Sequence, residues 1–185
     1  MAKVALFGDS YIKRLSSYCK GFLGIPGDCR FYGVGGMRAD SPNNEALRQL
    51  IRFQPDTVCI CLGGNDISVD SSPKKTYEDI VGVVDCLRNS GIEMVYICEI
   101  LTRGQFRKSP GLNKKTFDKK RKLINKKLRK TYKEFFVTFS DIHYPDHYDT
   151  DGVHINSTIS IRDGRPAASG MKKFQCRLAR ILCRH

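Results

Sequence analysis

Five short apolar runs alternating with amphipathic helical stretches predict a three-layer α/β domain, with a central five-stranded parallel sheet and helices on both faces. Two observations carry this expectation. The runs Lys3–Phe7, Cys29–Val34, Thr57–Leu62, Ile92–Ile97 and Phe135–Phe139 are β-branched or aromatic and mostly lack the polar alternation of a half-solvated strand, which marks strands buried on both faces. Helix patterns fill the gaps: Ile12–Lys20, Asn43–Phe53, Tyr77–Asn89, Lys114–Tyr132 and Met171–Leu182.

The elements follow in order. Lys3–Phe7 ends at Gly8, and Ile12–Lys20 follows at once. Ser41-Pro42 is a start signal for Asn43–Phe53, and Gly91 closes Tyr77–Asn89. Within Lys114–Tyr132, Phe117, Ile124, Leu128 and Tyr132 recur at spacings of seven, four and four, so one narrow face docks on the sheet. Leu101–Leu112 and Ile155–Gly170, with scattered Gly and Pro, read as surface loops. No repeat or linker divides the chain, and 185 residues make one domain over 1–185. A chain of this size buries roughly 70% of its unfolded surface, so folding requires neither disulfides nor a structural metal.

Charge is unevenly placed. The chain carries 32 Lys and Arg against 19 Asp and Glu, a formal +13, yet residues 1–106 are neutral. Residues 107–133 hold thirteen bases and a single acid, Asp118; 134–159 hold five acids and no base; 160–185 are basic again. A solvated helix face normally intersperses acids for i,i+4 pairing. The excess on Lys119, Lys120, Arg121, Lys122, Lys126, Lys127, Arg129 and Lys130 therefore suggests an anionic partner, nucleic acid or acidic lipid headgroups. The oligomeric state is not legible. No apolar run reaches the ~20 residues that span a bilayer. Four of eight cysteines (Cys29, Cys59, Cys61, Cys98) fall in strand-like runs and read as buried free thiols, which favours a reducing, intracellular and cytoplasmic setting. In that setting the Asn156-Ser157-Thr158 sequon has no meaning.

Open parallel sheets bind ligands at the carboxyl ends of their strands. Gly8-Asp9-Ser10 follows the first strand, Gly33-Val34-Gly35-Gly36 the second, Gly63-Gly64-Asn65-Asp66 the third and Asp151-Gly152-Val153-His154 the last. These types are complementary. Ser10 leaves a strand to enter a helix, its hydroxyl exposed at the sheet edge, and needs a hydrogen-bonded base, for which His154 is the candidate. Asp151, three residues before it, can hold the imidazole in one tautomer and stabilise its charged form. Backbone N–H groups of Ser10 and Gly36 and the Asn65 carboxamide would supply three donors to an oxyanion.

The four blocks, in this order and over nearly the whole chain, resemble the SGNH hydrolases, a branch of the GDSL esterases and lipases. The resemblance implies Ser10 as nucleophile, Gly36 and Asn65 as oxyanion donors, and Asp151 with His154 completing the triad. It also implies a flavodoxin-like fold, a shallow site open to many esters, and no metal or cofactor; an exposed, shallow site in turn suggests small acyl groups, acetyl most of all. Short, basic, single-domain members are also similar to esterase domains encoded in some animal retrotransposons. Two departures stand out: Asn156–Ser169 looks like an insertion between His154 and Gly170, which opens the last helix, and Thr102-Arg103 stands where Pro-Arg is frequent. The alternative from another class is an inactive binding module that works through the basic helix.

Competing motifs are weaker. Gly33-Val34-Gly35-Gly36-Met37-Arg38 has Arg where a dinucleotide fingerprint needs its third glycine. Asp141, His143, Asp146, His147 and Asp149 could ligate zinc, but Pro145 interrupts the helix that such histidines would need, so they read as a solvated loop. Cys59 and Cys61 share one face of a strand and read as small core residues.

Overall fold

The computed structural model describes residues 2–107, 109–162 and 165–183. Strand β1 (Lys3–Gly8) lies between β2 (Asp28–Gly33) and β3 (Thr57–Cys61), with β4 (Met94–Cys98) and β5 (Phe136–Val137) beyond, giving the parallel order β2-β1-β3-β4-β5. This is the doubly wound, flavodoxin-like order. The register sets Gly8 opposite both Gly33 and Cys61, so the segments leaving these strands emerge side by side.

Alternation along the strands builds two cores. Ala5, Phe7, Val58, Ile60, Val95 and Ile97 pack against α2 (Asn44–Phe53), α3 (Pro73–Asn89) and α4 (Lys114–Tyr132). Val4, Leu6, Cys59, Cys61, Tyr96 and Cys98 face α1 (Ser10–Tyr18) and α5 (Gly170–Leu182). Phe117, Ile124, Leu128 and Tyr132 of α4 are all buried, as the spacing requires.

Departures from the sequence expectations have local causes. Helix α1 starts at Ser10 because the Asp9 side chain accepts from Tyr11 N and caps it. Helix α3 starts at Pro73, where Ser72 caps and proline suits the first turn. The cap of α2 is Asn43 itself, accepting from Ala46 N at 2.9 Å. Strand β4 begins only at Met94, since Ile92 N donates back to Leu87 O past Gly91. Strand β5 is two residues long: Lys133–Phe135 form a 3-10 turn and Phe139 N donates to the Glu99 carboxylate.

The stretch 155–170 is not all irregular loop. It holds an antiparallel hairpin, β6 (Ser160–Arg162) with β7 (Arg165–Ala167), which leaves Ile159 and Ile161 exposed. Asn156 ties its base, accepting from Gly170 N at 2.7 Å and Met171 N at 2.9 Å. Cys59, Cys61 and Cys98 are buried, whereas Cys29 on edge strand β2 is only half-buried; all eight thiols are free. Among the described residues, no helix is long and apolar enough to cross a membrane.

Candidate active site

Ser10 stands at the first position of α1, held there by the Asp9 cap. Its Oγ lies 2.8 Å from His154 Nε2, and His154 Nδ1 lies 2.6 Å from Asp151 Oδ2. The insertion after His154 therefore leaves the imidazole against Ser10. The Asp151–His154 turn is internally braced, because Asp151 Oδ1 accepts from both Val153 N and His154 N at 2.9 Å. Partial burial pushes the Asp151 carboxyl upward, but the bonds from the His154 backbone and ring and from Val153 N outweigh it and hold it at about 2.

Helix α1 grips this turn twice more. Tyr11 Oη donates to Val153 O at 2.6 Å, and Arg14 reaches Asp149 Oδ2 at 2.9 Å and Asp151 Oδ2 at 3.5 Å.

On the other side of Ser10 two loops are knitted together. Gly36 sits at φ +76 in the turn after β2, a conformation that side chains disfavour. Asn65 lies in the 3-10 turn Gly64–Asp66 and donates Nδ2 to Met37 O at 3.0 Å, with Asp9 Oδ2 at 3.4 Å. Asp66 secures the same loop by accepting from Ala39 N and Asp40 N at 3.0 and 3.1 Å. The Gly63-Gly64 pair has a steric reason. A Cβ on Gly63 would strike Ile100 and Ile80 at 2.8 Å, and one on Gly64 would meet the Arg103 guanidinium at 2.6 Å.

Arg103, which sequence reasoning left without a role, lies inside this arrangement. Its Nη2 donates to Asn65 Oδ1 at 3.0 Å and so directs the Asn65 NH2 away from itself. The loop bearing Arg103 is fastened from α4: Asn125 bonds both the N–H and C=O of Ile100, Arg121 Nη1 donates to Ile100 O at 3.0 Å, and Thr102 Oγ1 donates to Asp118 at 2.6 Å. The only available sequence signal was position, at the end of the fourth strand.

The basic helix divides. Lys119, Lys122, Lys126, Lys127, Arg129 and Lys130 are exposed. Lys120 and Arg121, expected on the partner-binding face, are not available to it. Lys120 Nζ donates to Ser68 O and Ser71 O at 2.8 and 2.7 Å, capping a turn ahead of α3, while Arg121 is spent on Asp118 and Ile100.

In the Asp141–Asp149 segment, His147 is buried rather than solvated, and its Nδ1 accepts from His143 N at 2.9 Å. Among the described residues no three His, Cys, Asp or Glu side chains converge as a metal site would require.

Comparison with known proteins follows the same lines. Residues 6–159 match the family model described as GDSL-like Lipase/Acylhydrolase family. No curated protein matches the chain by sequence. Solved structures of similar fold include a GDSL-like lipase from Bacteroides thetaiotaomicron, at 18% identity and TM-score 0.70 over 96% of this chain and 86% of that one. A lipase/acylhydrolase from Enterococcus faecalis is 17% identical at TM-score 0.65, covering 99% and 96%. A carbohydrate esterase family 3 protein from Talaromyces cellulolyticus is 16% identical at TM-score 0.65, covering 98% and 96%. With its strand-end blocks lying inside the matched span, the chain belongs to the GDSL-like lipase/acylhydrolase family and is by family a carboxylic ester hydrolase.

Proposed function

We propose that this hydrolase is a serine esterase for small-acyl, acetyl-type esters, working through an acyl-enzyme on Ser10. Ser10 Oγ attacks the ester carbonyl as its proton passes to His154 Nε2; Asp151 accepts from Nδ1 and stabilises the imidazolium. The Ser10 and Gly36 N–H groups and Asn65 Nδ2 take the oxyanion charge. His154 then protonates the departing alcohol. In the second half it deprotonates water, which attacks the acyl carbonyl, and returns the proton to Ser10 Oγ as the acid leaves.

The observation that carries this reading is the unbroken hydrogen-bond relay Ser10–His154–Asp151. Eight free thiols favour a reducing compartment.

Fluorophosphonate labelling and a series of p-nitrophenyl esters test the proposal. The wild-type chain should label and should turn over acetate faster than octanoate. Ser10→Ala should abolish labelling, and Ser10→Ala or His154→Ala should each lower kcat by about 10⁴-fold or more. Unchanged acetate hydrolysis in Ser10→Ala would refute the mechanism. Absence of labelling in the wild-type chain would favour the inactive binding module instead.

A further inference from the structure

Helix α4 has two opposed faces. Phe117, Ile124, Leu128 and Tyr132 lie on the sheet side. At 100° per residue, Lys115, Lys119, Lys122, Lys126 and Lys130 fall within an arc of roughly 80° on the opposite side. All five are exposed. Among the described residues, none of their ammonium groups makes a hydrogen bond or an ion pair, and no acid interrupts them: Asp118 is engaged by Lys114, Thr102 and Arg121.

The neighbouring helix shows the contrast. On α3, Lys74 pairs with Glu78 and Lys75 with Asp79 at i,i+4, the ordinary arrangement of a solvated face. On α4 the corresponding positions repeat the same sign, which works against the helix. The flanking cations lean on aromatic rings, Lys127 over Tyr77 and Arg129 over Phe136, which sets them apart from the stripe without removing their charge.

We propose that the outer face of α4 docks a nucleic-acid strand through its phosphates, held by Lys115, Lys119, Lys122, Lys126 and Lys130, without reading its bases. The five ammonium groups extend about 22 Å along the helix, one every 5 to 6 Å or so. That spacing is close to that of successive phosphates along a single strand. No aromatic side chain stands on the stripe to stack a base, so contact is through the backbone and sequence-independent. An anionic membrane fits less well. A helix that anchors in a bilayer lays its apolar face into the lipid, and the apolar face of α4 is turned inward. Leu123, the one exposed large hydrophobic residue of the helix, falls beside Lys130 at the edge of the lysine stripe, and a single leucine is no apolar face.

The test uses the full chain and a fluorescein-labelled oligouridylate of about 20 nucleotides, followed by anisotropy between about 50 and 300 mM NaCl. Five phosphate contacts predict a slope of log K against log salt near −3.5. Lys122→Glu with Lys126→Glu should weaken binding by about 100-fold. Lys172→Glu with Arg180→Glu on α5, the same change in net charge on the opposite face of the sheet, should change it by less than about threefold. Melting by circular dichroism verifies the fold, and Lys122→Gln with Lys126→Gln guards against misfolding of the Glu variant and should show a smaller loss of the same sign. Equal losses from the α4 and α5 pairs, or a flat salt dependence, would overturn the proposal. So would binding to vesicles of phosphatidylcholine with roughly one-third phosphatidylserine in the absence of oligonucleotide binding. None of these outcomes bears on Ser10 chemistry.

Discussion

Asp9 and Arg103 flank Asn65 from two sides and do opposite things to it. Arg103 donates to the carboxamide oxygen, while Asp9 offers an acceptor to the nitrogen. An amide held at its oxygen by Arg103 keeps one orientation, with its NH2 turned toward Met37 O and the Asp9 carboxylate. Arg103→Ala releases that hold, and kcat should fall about 10- to 100-fold with KM nearly unchanged, less than the full loss of an oxyanion donor. Arg103→Lys should recover part of it, and steady-state kinetics on p-nitrophenyl acetate decides the split.

Asp9 titrates abnormally. Burial pushes its carboxyl up from 3.8 to about 6, against the Tyr11 N–H bond and the nearby Arg103 charge. Because the folded state binds this proton more tightly than the unfolded chain, the Asp9 contribution to stability is present below about pH 4 and is lost as pH rises to 6. Asp9→Asn keeps an acceptor for the helix cap and removes the buried charge, so it should be more stable than wild type by roughly 2 kcal/mol at pH 8 and by little at pH 3. Thermal melts across that range check it. Asp151 has the opposite sign: its depressed carboxyl lends stability that disappears as pH falls from 3.8 toward 2.

At the scale of elements, Ser10 and Asn65 were legible as candidates because each closely follows a strand that periodicity locates, whereas Asp151 and His154 lie well beyond β5 and were legible from their residue types and mutual spacing. Arg103 was not, since its partners come from a turn 38 residues away in sequence. Lys120 and Arg121 could not be told from their neighbours for the same reason. In sequence they are two more bases in a basic run, and only the approach of the turn before α3 and of the loop after β4 draws them inward. The β6–β7 hairpin was missed because its strands are three residues long, too short to show a period, although the Asp163-Gly164 dipeptide between them is a known hairpin signal in sequence.

Helix α4 illustrates how two demands share one element. Its inner positions Asp118, Arg121 and Asn125 scaffold the loop of Arg103, while its outer lysines repel one another. Like-charge i,i+4 neighbours cost ~0.2–0.5 kcal/mol each. Lys119→Glu with Lys126→Glu converts those contacts, with Lys115, Lys122 and Lys130, into attractive ones and should raise Tm by about 3 °C. A melt that shows no gain would mean that the stripe is not under electrostatic tension.

For the whole molecule, the formal +13 conceals a division of labour. The sheet edge that bears the site lies between a neutral segment and an acidic one, the α4 lysines face outward from one side of the sheet, and the α5 bases lie on the other. The three-layer architecture was legible from rhythm alone because buried parallel strands and amphipathic helices leave different periodicities. Strand ends were less so, because Glu99 and the 3-10 turn shorten β5 through contacts that periodicity does not encode.

One consequence concerns rigidity. Ser10 and Arg14 are separated by one helical turn on α1, and each touches the Asp149–His154 segment, Ser10 through His154 and Arg14 through Asp149 and Asp151. Two attachment points on one stiff rod remove the rotation that a single point would allow. Small displacements of α1 therefore carry Ser10, His154 and Asp151 as one body, and their mutual alignment is established when the chain folds.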